Sequence, residues 1–343
     1  MKKESLVSIS KRTGYSISTI SRVLNGQAEK YRISKKTVEL ISAEAKRCNY
    51  TPSLLAKGLR TRKTNTLGLI ILNIDNPYFS NISNIVIHQA KEHGYTVILA
   101  DSLENEHDER EVVRSLLSRQ VDGIIAVPCG QDPSFLEEIN KNSAPVVLID
   151  RYYQNSLLPY VSTNNYQGGK MATAYFLARG HKKIACICGT PYSMPSKERV
   201  RGYREVMKQA GLESEIFVSG EDFSIMNGYL ETKLLLNSKN KPTAIFTLSN
   251  TILLGAMKAI NESGLKINDD ISVISFDNNT YLDYLNPPIT RIGQPTDEIG
   301  TLAVKIMLQS LEGKRDMETR ILLPPELIER DSVSKPGTGT THI

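Results

Sequence analysis

The hydrophobic positions of this chain change rhythm close to residue 65. Before that point they follow helical spacing: Leu6 and Ile9, then Ile20, Val23 and Leu24. Gly14, between the two runs, suits the left-handed residue that ends one helix, and Ser16 suits the N-cap of the next. The pattern predicts helix, turn and second helix, with Ile17, Ser18, Ser21 and Arg22 on the outward side of the second. A third helix is predicted from Ser34 as N-cap through Val38, Leu40 and Ile41 to about Cys48, closing a small core. From Thr66 onward, continuous apolar runs alternate with helical patterns. The runs are Leu67–Leu72, Thr96–Ala100, Gly123–Val127, Val146–Ile149, Ile184–Ile187, Ala244–Leu248 and Val273–Phe276. Runs apolar on both faces and separated by helices predict parallel strands covered on both sides. Four of the helical patterns stop at Gly94, Gly180, Gly211 and Gly264, each placed for a helix C-cap. The predicted fold class is α/β, with a small all-α head preceding a parallel-sheet body.

Charge sharpens this division. The net charge of +5 conceals an asymmetry: residues 1–63 carry 15 basic and 4 acidic side chains, the remaining 280 carry 27 and 33. A basic head on an acidic body is the electrostatic footprint of nucleic-acid binding, and two helices around a glycine turn form the unit that enters a major groove. No apolar run reaches the length needed to span a bilayer, and Met1-Lys2-Lys3-Glu4-Ser5 leads into polar sequence and not a secretory signal, so a cytoplasmic protein without membrane contact is expected. Cys48, Cys129, Cys186 and Cys188 include no Cys-x-x-Cys pair, and Cys186 and Cys188 alternate onto one face of an apolar strand as small buried hydrophobes. Neither metal nor cofactor is expected. Gly168-Gly169-Lys170-Met171 lacks the rest of a phosphate loop, and neither a Gly-x-Ser-x-Gly elbow nor a His-Glu-x-x-His pair occurs, which leaves enzyme chemistry unsupported.

The run Lys11-Arg12-Thr13-Gly14-Tyr15-Ser16, continued by Thr19-Ile20-Ser21-Arg22-Val23-Leu24-Asn25-Gly26, resembles the head of the lac repressor family. Asn49-Tyr50-Thr51-Pro52-Ser53 is similar to that family's signature before its hinge, and the resemblance extends through nearly the whole chain. It implies that Ile17 and Ser18 read bases and that Arg22 touches a base or the backbone. Ser16, Thr19, Ser21, Asn25, Tyr50 and Ser53 then belong to the DNA contact surface. Ser8 departs from the family's usual Asp, at a helix-capping position. Pro52–Arg60 is a short helical candidate, too short to be stable alone and further weakened by Gly58. By the resemblance, two such hinges pair in the minor groove, Leu59 wedges between base pairs, and Ala56 lets the hinges approach.

The body, by the same resemblance, is a two-lobed sensor similar to periplasmic binding proteins, with a ligand between lobes. The implied layout is 1–50 helix-turn-helix domain, 51–63 hinge and linker, 64–162 with 291–323 N-terminal lobe, 163–290 with 324–333 C-terminal lobe, and 334–343 disordered tail. Ligands of open α/β sheets sit at the carboxyl ends of strands, where Asn76, Tyr78, Phe79, Asp150 and Arg151 fall. The resemblance adds Arg199 from Ser196-x-x-Arg199-x-x-Gly202, Phe223 as a stacking aromatic, and Asp277. It also adds Asn250, within a Leu248-Ser249-Asn250-Thr251 run where the family commonly has Ala-Asn-Asp-Leu. Loss of that acid leans toward an acidic effector such as a sugar acid. The expected function is a homodimeric regulator, a repressor of a carbohydrate-catabolism operon, that binds palindromic double-stranded operator DNA under control of a sugar or sugar-acid effector. A solute-binding protein and a sugar-metabolising enzyme are the alternatives.

Overall fold

A computed structural model describes residues 5–48, 50, 63–314 and 319–337. The chain divides into two compact units, Met1–Thr64 and Asn65–Ile343.

In the first unit, Ser5 and Ser8 cap α1 (Leu6–Thr13) reciprocally, so the serine that departs from the family pattern still closes a capping box. Gly14 ends α1 at φ +73°, a region that disfavours side chains, and its amide returns to the Ser10 carbonyl. Ser16 opens α2 (Ile17–Leu24), its Oγ accepting the Thr19 amide at 3.1 Å. Ser34 does the same for α3 (Lys35–Arg47). Ile9, Ile20, Val23, Ile41 and Ala45 form the core, with Tyr50 packed on its edge. Leu40 corrects the sequence expectation: it is 44% exposed. Helical geometry explains why, because Leu40 stands about 100° round the helix from Ile41 and cannot share its inward direction. The proposed hinge, with Ser53, Ala56 and Leu59, lies outside the described residues.

The second unit contains two six-stranded sheets. The first is ordered β11-β5-β4-β3-β1-β2, built from β1 (Thr66–Ile71), β2 (Thr96–Asp101), β3 (Gly123–Ala126), β4 (Val146–Ile149), β5 (Tyr160–Thr163) and β11 (Arg320–Leu323), all parallel. Alternation along its strands divides them between two cores. Leu67, Leu69 and Ile71 meet α4 (Pro77–Glu92) and α11 (Thr296–Leu311), while Ile70, Ile124 and Leu148 meet α5 (Glu106–Ser118) and α6 (Ser134–Asn142). Each fully buried Leu or Ile contributes roughly 1.5–3 kcal/mol to this packing.

The second sheet is ordered β12-β10-β9-β8-β6-β7, from β6 (Ile184–Ile187), β7 (Phe217–Ser219), β8 (Ala244–Thr247), β9 (Ser272–Phe276), β10 (Arg291–Gly293) and β12 (Glu326–Ile328), with only β10–β12 antiparallel among the pairs described. Around it lie α7 (Asn165–Ala178), α8 (Met194–Gln209), α9 (Ile225–Asn237) and α10 (Asn250–Glu262). Gly168 and Gly169 are packing glycines of α7. A Cβ on Gly169 would stand 2.2 Å from the Arg199 carbonyl of α8, and one on Gly168 2.4 Å from the Phe276 ring.

The chain passes between the sheets after β5, after β10 and after β11. The expected second crossing at 290/291 is corrected by the pairing of Arg291 with Ser275 and Ile328, which keeps β10 in the second sheet, so that crossing follows Gly293. The expected disordered tail is also shortened at its start. His181 Nε2 donates to the Ser334 carbonyl at 2.8 Å, and the Ser334 amide donates to Ser272 Oγ at 3.1 Å. Residues 338–343 lie outside the described residues.

Candidate functional site

Two surfaces are candidates for functional chemistry, one in each unit. On the head, the first turn of α2 leaves Ser16, Ile17 and Ser18 exposed, with Ile17 at 45% despite its apolar side chain. An aliphatic residue left in water beside small hydroxyls suits apolar contact with a thymine methyl and hydrogen bonding to base edges. Thr19 Oγ1 lies 2.9 Å from Ser16 Oγ, so the two hydroxyls orient one another. Asn25 Nδ2 donates to the Ser21 carbonyl at 2.6 Å, holding the end of α2. Arg22 stacks on the Tyr31 ring at 3.9 Å to the centroid, which fixes its stem while the guanidinium edge keeps its donors. Tyr50 donates its amide to the Ala45 carbonyl and packs on the head core.

In the body, a cleft of about 590 Å³ opens at the carboxyl ends of strands from both sheets, within the range of small-molecule sites. Asn76 caps α4 by accepting the Tyr78 amide at 3.0 Å, which sends Tyr78 and Phe79 toward the cleft. The buried Tyr78 hydroxyl donates to Asp150 Oδ1 at 2.9 Å. Asp150 ends β4 at φ +61° and Asp277 ends β9 at φ +79°. Two non-glycine residues held in the left-handed region at facing strand ends are a strain characteristic of binding sites.

Arg199, on the first turns of α8, faces both carboxylates from an almost fully buried position. It donates to Asn165 Oδ1 at 2.7 Å and the Leu248 carbonyl at 2.6 Å, and lies 3.6 Å above the Phe276 ring centroid. Burial lowers its pKa, opposed by the two carboxylates, and burial raises that of Asp150, opposed by Arg199 and Arg151. Asp277 accepts the Asn250 amide at 3.1 Å and Gln294 Nε2 at 2.6 Å, while Gln294 Oε1 accepts from Thr163 Oγ1 at 2.7 Å. Thr163 precedes the first crossing between lobes and Gln294 lies on the second. The Asp277 carboxylate at the cleft is therefore linked by hydrogen bonds to two of the segments where the chain crosses between the sheets.

Arg151 donates to Glu104 Oε1 at 2.5 Å and lies over the Phe223 ring at 5.6 Å. Among the expected residues, Asn76, Tyr78, Phe79, Asp150, Arg151, Arg199, Phe223 and Asp277 line one cleft. Asn250 does not: its side chain is fully buried with neither Oδ1 nor Nδ2 partnered, while its neighbours Ser249 and Thr251 reach the cleft. As the first residue of α10 it turns inward behind the Ser249 cap. Glu104, Gln294, Thr163 and Asn165 were not foreseen. Glu104 obeys the strand-end rule at β2, but the other three are uncharged residues at crossings that carry no spacing signal.

A head that offers a reading helix, joined to a body with a ligand-sized cleft between two sheets, is the build of a transcription regulator. Residues 173–333 match the family model described as a periplasmic binding protein-like domain. The HTH-type transcriptional regulator DegA of Bacillus subtilis is 32% identical over 98% of this chain and 100% of its own length. The HTH-type transcriptional repressor PurR of Vibrio campbellii is 31% identical over 95% of this chain and 98% of its own. The crystal structure of the Lac repressor dimer bound to operator and the anti-inducer ONPF matches with a TM-score of 0.87 at 26% identity, covering 97% of this chain and 100% of that one. The chain belongs to the lac repressor family of helix-turn-helix transcription regulators. It is a regulator and not an enzyme, and no helix among the described residues is long and apolar enough to cross a membrane.

Proposed function

We propose that this regulator acts in the cytoplasm as a homodimeric repressor of a carbohydrate-catabolism operon, binding a palindromic operator and responding to a sugar held in the cleft. The observation that carries the sugar assignment is the buried cluster of Asp150, Asp277 and Arg199, with Tyr78 beside it. Carboxylates that accept and a guanidinium that donates suit the paired donor and acceptor character of sugar hydroxyls. Phe223 supplies an aromatic face. The charge balance favours a neutral sugar over the sugar acid suggested by the loss of acid at Asn250, because Arg199 already faces two carboxylates and Arg151 is held by Glu104.

At the operator, Ile17 and Ser18 read bases, Arg22 contacts a base or the backbone, Thr19, Ser21 and Asn25 hold phosphates, and Ser16, Tyr50 and Ser53 complete the contact surface. Residues 51–63 form the hinge, with Ala56 at the hinge pair and Leu59 as the wedge. The lobes comprise 64–163 with 294–323 and 164–293 with 324–333. Dimerisation is supported by α9, where Met226, Leu230 and Leu234 recur every four residues and stand 62%, 51% and 66% exposed. Sugar binding closes the lobes, and the Asp277–Gln294–Thr163 chain passes that closure to the crossing segments, changing the cost of ordering the hinges on DNA.

The test is selection from a random duplex pool with and without a mixture of sugars and sugar acids. Enrichment of a two-fold symmetric site, altered by one metabolite, is the expected result. The absence of any symmetric site under every condition refutes the operator reading. Leu59→Ala should lower operator affinity while ligand binding persists.

A further inference from the structure

Between α2 and α3 the chain makes a loop whose side chains divide in two directions. Ile33 packs on the head core, while Tyr31, two residues earlier, stands 43% exposed. Arg32 lies between them at φ +50°, a left-handed conformation that is uncommon for a residue other than glycine. Backbone bonds hold this turn closed: the Arg32 amide donates to the Glu29 carbonyl at 3.0 Å, and the Ile33 amide to the Ala28 carbonyl at 2.9 Å. The loop thus presents the Tyr31 ring outward instead of adding it to the core.

The ring faces Arg22. The Gln27 amide donates to the Arg22 carbonyl at 2.9 Å, and the Tyr31 amide donates to the Gln27 carbonyl at 3.2 Å, so two backbone bonds connect the arginine of α2 to the tyrosine. Their side chains then meet, with the guanidinium carbon 3.9 Å from the ring centroid. Lys30 Nζ stays 6.0 Å away, at the outer limit of such a contact, which leaves Arg22 as the principal cation of this ring. Arg12 and Arg47, by contrast, both pair with Glu44. A carboxylate occupies the in-plane donors of a guanidinium, whereas a ring covers one face and leaves that edge free. An arginine without such a support must also give up side-chain freedom when it docks.

We propose that Tyr31 is a positioning residue for operator recognition, ordering Arg22 before DNA arrives and raising affinity without itself touching a base. The group that Arg22 then meets is an acceptor edge, on a base or a phosphate, matched to its in-plane donors. This inference rests on the reading of α2 as the helix that enters the major groove. Recognition thereby extends past α2 into the loop that follows it, so a change at residue 31 alters binding while every residue of the reading helix is unchanged.

The experiment is a double-mutant cycle by fluorescence anisotropy on the full chain, with the labelled duplex that the selection enriches. Tyr31→Leu should weaken binding about fivefold, the loss expected for a cation–ring contact and the ordering it gives. In the Arg22→Ala background the same change should weaken binding less than about twofold, because the group it positions is gone. Tyr31→Phe keeps the ring and should bind within about twofold of the parent chain. A loop that served only to hold the head together would weaken binding equally with and without Arg22. Equal losses overturn the proposal, and so does Tyr31→Leu binding that matches the parent chain. A loss in Tyr31→Phe as large as that in Tyr31→Leu also overturns it, because the hydroxyl would then be the group that acts. If no duplex is enriched, the operator reading fails on its own; the same cycle on a fixed mixed-sequence duplex at low salt then decides the role of Tyr31 by the same comparison.

Discussion

Replacing Arg199 with methionine removes the cation of the cleft while leaving a side chain of similar reach over the Phe276 ring. Two charge-assisted hydrogen bonds disappear, those to Asn165 and Leu248, and Asp150 and Asp277 lose the positive group they share. Breaking a buried charge cluster by deleting one member costs about 3–5 kcal/mol, and retained packing on Phe276 offsets part of that. The loss carries a pH signature. Burial already holds the Asp150 pKa above the ordinary carboxylate value, and Arg199 is the largest influence opposing it. Without Arg199 the folded-state pKa rises further, so the folded chain binds a proton that the unfolded chain releases. Stability then falls as pH rises from the unfolded value near ~3.9 through the raised folded value, at about 1.4 kcal/mol per unit of elevation. The variant should therefore be most destabilised at about pH 8 and recover part of the deficit at about pH 5. Because the chain has no tryptophan, urea unfolding is followed by far-ultraviolet circular dichroism. A deficit below ~1 kcal/mol at the higher pH, or one of equal size at both, refutes the assigned role of the cluster.

Three further outcomes are expected. Arg22→Ala should lower operator affinity and reduce the slope of log affinity against log salt by about 1 if the guanidinium neutralises a phosphate; an unchanged slope assigns Arg22 to a base instead. Gly202→Ala should destabilise the body by about 1–3 kcal/mol in the same urea assay, because the new Cβ would stand 2.3 Å from the Tyr166 carbonyl and force α7 and α8 apart. Gln294→Leu should keep sugar affinity within a few-fold while shrinking the sugar-induced change in operator affinity, measured by fluorescence anisotropy; a full response in this variant breaks the proposed link from Asp277 to the crossings.

The seven strands foreseen in the sequence are central or fully covered strands and β2, where long apolar runs leave little ambiguity. The five that were missed are short, and each includes a polar or charged residue: Tyr160-Val161-Ser162-Thr163, Phe217-Val218-Ser219, Arg291-Ile292-Gly293, Arg320-Ile321-Leu322-Leu323 and Glu326-Leu327-Ile328. Three of these are sheet edges, which need only one covered flank. Tertiary pairing creates such strands where local pattern is silent. Within the cleft, charged and aromatic residues at strand ends were legible, because burying them demands a reason. Gln294 and Thr163 were not, since an amide and a hydroxyl at a crossing read as ordinary loop chemistry until the two sheets bring them beside Asp277. Asn250 shows the opposite failure: a motif position located it beside the ligand, but the start of a helix can aim a side chain in either direction.

The three crossings also set a timetable for synthesis. Each sheet takes its last edge strand from the end of the body, β11 in one and β12 in the other, and α11 covers the first core only after Leu311 has emerged. Neither lobe is a contiguous stretch of chain, so neither can be completed before the other is nearly finished. The head depends on none of these late segments and leaves the ribosome before the body. During translation there is thus an interval in which a formed reading helix trails a body with incomplete cores and no finished cleft. Quality control of the nascent regulator falls on the body, and a chain truncated before residue 320 would keep its reading helix while lacking the lobes that govern it.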